Sequence, residues 1–97
     1  MKIPTFALAA GLAAFASPAA AQSPRVCVVA DPTGTLLNIR DTPNGAVVGS
    51  IHNGVWVKAT DRMTSRGKAW VFIHDSDARG SLGEPLGWVF AGYLSCR

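Results

Sequence analysis

The chain has 97 residues, 48% of them hydrophobic and 15% charged, with a formal net charge of +3 and two cysteines. That length holds one small domain, and so slight a positive excess gives no electrostatic argument for a nucleic-acid partner. With two histidines as well, there is little material for a catalytic or metal centre.

The N-terminus decides the expected compartment. Lys2 is a short positive region, Ile3 to Ala16 is an almost unbroken apolar stretch rich in Ala, Leu and Phe, and Ser17-Pro18 precedes Ala19-Ala20-Ala21. This is the pattern of a secretory signal peptide over residues 1–21, cut after Ala21 by the small-residue rule. The apolar stretch is shorter than the roughly 20 residues of a membrane span, so no stable membrane insertion is expected after cleavage. A periplasmic or secreted protein follows.

Residues 22–35 form an N-terminal segment with the first strand. Val26 to Ala30 is β-branched and ends at the turn cluster Asp31-Pro32-Thr33-Gly34. Residues 36–97 then read as β throughout. Leu36 to Arg40 is a strand, Asp41 to Gly45 a turn whose Asn44-Gly45 suits positive φ, and Ala46 to Ile51 another strand. Asn53-Gly54 is a hairpin signal. Val55 to Thr60 alternates, placing Val57 and Ala59 on one face, Trp56 and Lys58 on the other. The basic cluster Arg62 to Lys68 has a turn-like composition and reads as a solvated hairpin tip, a patch also suited to anionic envelope polymers. Ala69 to His74 is a strand, Asp75 to Leu86 a polar loop, and Gly87 to Leu94 closes the pattern.

Short strands at regular intervals, with no helical periodicity, predict an all-β sandwich or barrel. Closing the sheet would also remove exposed edges. Cys27 and Cys96 stand near the two ends of the exported chain, and an even count in such a protein reads first as a disulfide. Two free thiols or half a metal site are the alternatives, although there is no C-x-x-C spacing. As a bridge, the pair would stabilise this thin-cored domain by about 4 kcal/mol through loop closure.

Leu37-Asn38-Ile39-Arg40 before a Pro-containing turn, then Val48-Gly49, Ile51, Gly54 and Val57 at their spacings, a strand opened by Trp70, and Gly87-Trp88-Val89 with Tyr93-Leu94 resemble the bacterial SH3 (SH3b) pattern. The resemblance covers about residues 36 to 94. It implies a small SH3-like barrel of five to six short antiparallel strands. The segment Asp75 to Leu86 is longer than the usual connection there.

Catalytic chemistry is poorly supplied. His74-Asp75-Ser76-Asp77 brings suitable residue types together only along the chain, and triads are assembled in space. Asp75-Ser76-Asp77 begins like a calcium loop, but Arg79 and Leu86 occupy positions where ligands belong. No enzyme, metal or cofactor is expected.

Binding is the stronger expectation. Trp70, Trp88, Phe90 and Tyr93 resemble the aromatic residues of the SH3 ligand groove, and large rigid rings suit such a surface. Covering a thin core is the other role open to them. Leu36 to Arg40 has no aromatic, so a proline-peptide groove would lack one wall. Trp56, pointing away from Val57, is a separate candidate for partner contact. The resemblance implies a non-catalytic binder of peptidoglycan or its peptide stems. The alternative is a protein-protein interaction module that docks on or inhibits an envelope protein.

Overall fold

The structure is a computed structural model describing residues 24–97. The signal peptide expected over 1–21 lies outside the described residues. Seven strands, β1 (Arg25–Val29), β2 (Leu37–Arg40), β3 (Val47–Ile51), β4 (Trp56–Ser65), β5 (Lys68–Asp75), β6 (Pro85–Phe90) and β7 (Leu94–Cys96), form one antiparallel sheet. The order is β3-β2-β6-β5-β4-β1-β7. The all-β expectation holds.

Alternation builds the core. Cys27 and Val29 of β1, Leu37 and Ile39 of β2, Val57 and Ala59 of β4, Val71 and Ile73 of β5, and Val89 of β6 are buried in one cluster with Ile51. Their intervening neighbours face the other side of the sheet, as the two-residue period of a strand requires. Gly87 lets two strands meet. Its φ is +144°, and a Cβ there would lie 2.7 Å from Ile39 Cγ2 and 2.8 Å from the Arg40 carbonyl oxygen, so a side chain would push β2 off β6.

Three expectations need correction. Closure is the first: among the described residues β3 pairs only with β2, and β7 only with β1, so the sheet keeps two edges. The turn after β3, rather than a strand, spans the gap, with Gly54 N–H donating to the Val29 carbonyl (2.8 Å) and Val29 N–H to the Val55 carbonyl (3.0 Å). Second, Arg62 to Ser65 are not a hairpin tip but the end of β4. A bulge between Ala59 and Asp61 resets its alternation, and the tip is only Arg66-Gly67, both at positive φ (53° and 78°). Third, the described residues form seven strands rather than five to six, because a 3-10 turn over Ala91–Tyr93 divides the closing segment Gly87 to Leu94 between β6 and β7.

Cys27 and Cys96 face each other across β1 and β7 and are disulfide-bonded, with Cα atoms 4.0 Å apart. Of the readings open to the two cysteines, the bridge is the one the fold adopts. A disulfide fits an oxidising compartment.

Candidate functional site

The face opposite the core carries an aromatic layer. Cross-strand register sets Trp70 beside Phe90 and Phe72 beside Trp88 on β5 and β6. The pairs meet edge to face, with ring centroids 5.9 and 5.6 Å apart, and Tyr93 from the 3-10 turn packs on Phe90 at 4.9 Å. Such contacts hold the rings in fixed relative orientations.

Trp70, Phe90 and Tyr93 line a groove of about 470 Å³. One wall is the β1–β2 loop. The Asp31 carboxylate accepts from the Thr33 N–H (2.9 Å) and hydroxyl (2.7 Å), while the Asp31 N–H donates to the Asn53 side-chain oxygen (2.7 Å). These bonds stiffen the loop and dock it on the β3–β4 turn, which explains how Asp31 is tolerated when buried. The other wall comes from β2 and the turn after it. The Arg40 guanidinium donates to the Gly45 carbonyl (2.8 Å), and the Asn44 amide to the Ser65 hydroxyl (2.8 Å) at the far end of β4.

Two cations, Arg40 and Lys68, border the groove, and the Lys68 ammonium stands 5.3 Å over the Phe90 ring. Trp70 is 7% exposed, and its Nε1–H is the one buried side-chain donor among the described residues without a partner.

Of the five aromatic residues singled out from the sequence, three therefore share one groove and two stand elsewhere. Trp88 is half-buried further along the same face, against Phe72 and opposite Arg40 in register. Trp56 is also half-buried, opposite Val28, with the Arg97 guanidinium 4.6 Å over its ring. Its indole is thus partly covered from within the chain. Sequence reasoning missed Asp31, Arg40, Asn44 and Lys68 as groove residues. An Asp opening the turn cluster Asp31-Pro32-Thr33-Gly34 was the one available signal; the reach of Asn44 to Ser65, 21 positions away, had none.

The loop between β5 and β6 is organised around Asp77. Its carboxylate accepts from Ser81 N–H (3.2 Å), Ser81 hydroxyl (2.9 Å) and Arg79 N–H (2.9 Å). The Ser81 bonds foremost, then the bond from the Arg79 N–H and the Arg79 charge, lower its pKa from the ordinary 3.8. The carboxylate is engaged within its own loop. His74 places Nδ1 3.1 Å from the Gly83 carbonyl oxygen.

Set against protein-family models, curated proteins and solved structures, the chain matches none significantly.

Proposed function

We propose that this chain is a non-catalytic, exported SH3b-like module of the cell envelope that binds peptidoglycan, through its peptide stems, in the groove over Trp70. The observation that carries this reading is the convergence of Trp70, Phe90 and Tyr93 in one groove bordered by Arg40 and Lys68. Rings supply flat apolar area for sugar and aliphatic surfaces, and the two cations suit the carboxylates of a stem peptide.

The test is co-sedimentation with purified insoluble sacculi at low salt. The protein is expected in the pellet, and Tyr93→Ala in the supernatant, since an aromatic anchor commonly contributes about 2 kcal/mol or more to binding. Wild-type protein wholly in the supernatant overturns the wall-binding reading.

A second reading, docking on another envelope protein, draws support from β3. This edge strand pairs on one side only and exposes Val47 (51%) and Val48 (59%), a surface on which a partner's strand can add. Recovery of a single stoichiometric partner from a periplasmic extract, with nothing bound to sacculi, would favour it.

A further inference from the structure

Phe90 and Lys68 also line a second groove, of about 600 Å³, so the two grooves share a wall. Its character differs. The bottom is Ala59 and Val71, both largely buried, and half-buried Ala69, Ala91 and Leu94 continue the apolar surface outward. Three cations, Arg25, Arg62 and Lys68, border it, and among the described residues no Asp or Glu lines it. The acidic neighbour in sequence, Asp61, lies in register with Phe72 on the aromatic face, whereas Arg62 is in register with Val71. The bulge in β4 therefore helps separate the positive charge from its nearest carboxylate.

The pairing of charge and apolar surface restricts what fits. A hydrated anionic polymer would use the cations and leave the floor wet, and a neutral apolar molecule would use the floor and leave three cations unanswered. A bilayer surface suits protruding apolar side chains, and here the apolar side chains are recessed behind the charges. We propose that this groove binds a single-chain anionic amphiphile. The headgroup, a carboxylate or phosphate, sits among Arg25, Arg62 and Lys68. The acyl chain lies along Leu94, Ala91 and Ala69 toward Val71.

Arg25 keeps part of its donor set for this role, because among the described residues only Nε is engaged, at 3.3 Å from the Arg97 main-chain oxygen. The Lys68 ammonium, already over Phe90, needs only to turn on its flexible stem to meet an anion on this side of the ring. The assignment goes beyond wall binding and stands or falls separately from it.

The experiment titrates the disulfide-bonded protein with laurate, kept below its micelle concentration, by calorimetry and by backbone amide NMR. Saturable one-to-one binding is expected, with the largest shifts at Ala69, Ala91 and Leu94. Acetate, with the headgroup alone, and dodecyltrimethylammonium, with the chain and opposite charge, should each bind at least tenfold more weakly. Replacing both exposed arginines, Arg25→Gln with Arg62→Gln, should weaken laurate tenfold or more while leaving the remaining amide spectrum in place. The proposal is overturned by absence of laurate binding, by equal binding of the cationic amphiphile, by undiminished affinity in the double variant, or by shifts centred on Trp70 and Tyr93. Attachment to phosphatidylglycerol vesicles without binding of monomeric laurate would also overturn it, assigning the surface to a membrane.

Discussion

Trp70 combines two opposing contributions in one side chain. Its ring is buried against Phe90, which stabilises the fold, while its Nε1–H is shut away from water without an acceptor, which costs stability. The two are separable by substitution. Trp70→Ala is expected to lower unfolding stability by about 3–5 kcal/mol, the usual range for deleting a buried large ring. Trp70→Phe keeps an aromatic edge on Phe90, loses no hydrogen bond and is expected to cost less than about 1.5 kcal/mol. Urea midpoints of the two variants, compared with wild type, check the pair. Equal losses would mean that the indole N–H has a partner in solution.

Among the connecting elements, the loop between β5 and β6 depends most on one ionised group. Because the folded pKa of Asp77 is lowered, its bonds to Ser81 and Arg79 support the loop at pH values above the ordinary carboxylate pKa. That support is lost as pH falls through the lowered folded value. NMR titration should find the Asp77 carboxyl ionising below 3.8, with the Arg79 and Ser81 amides shifting in step. Ser81→Ala, which removes the hydroxyl donor, should move that pKa upward. A midpoint at or above the ordinary value would contradict the loop geometry.

The elements also differ in how plainly the sequence announces them. Asn44 at φ 63° and Gly54 at φ 89° occupy turn conformations that their residue types favour, so the strands on either side were legible. Arg66 at φ 53° was not, because arginine carries no comparable preference, and the long β4–β5 hairpin was read short. The bulge hid the rest. Trp56 and Lys58 lie on the aromatic face by simple alternation, but past Ala59 the same face continues through Asp61 and Met63, which a period of two does not anticipate. At the site, the aromatic floor was legible because rings stand out by type. The walls were not, because they are made by polar loop residues whose partners are distant in the chain.

At the scale of the whole molecule, the two sheet edges are unlike. β7 is three residues long and covalently fixed to β1, whereas β3 pairs on one side and presents two exposed valines. The bridge spans 69 positions of sequence, so it restricts nearly all of the described chain in the unfolded state. Reduction is expected to remove about 4 kcal/mol of stability, a large fraction of what so small a domain holds. Thermal unfolding followed by circular dichroism with and without reductant measures this. An unchanged midpoint would mean that strand pairing alone holds β7 in place.

The same bridge changes the topology of the polymer itself. From Cys27 to Cys96 the backbone and the two sulfurs form one covalent ring, with only Pro24-Arg25-Val26 and Arg97 of the described residues outside it. A protease that cuts once inside that ring, for instance in the exposed stretch around Arg79, opens the circle without releasing a fragment. Both pieces stay joined through sulfur, and each retains strands that pair with strands of the other, β4 with β5 lying before the cut and β6 after it. Dismantling the protein therefore takes a second cleavage or a reductant.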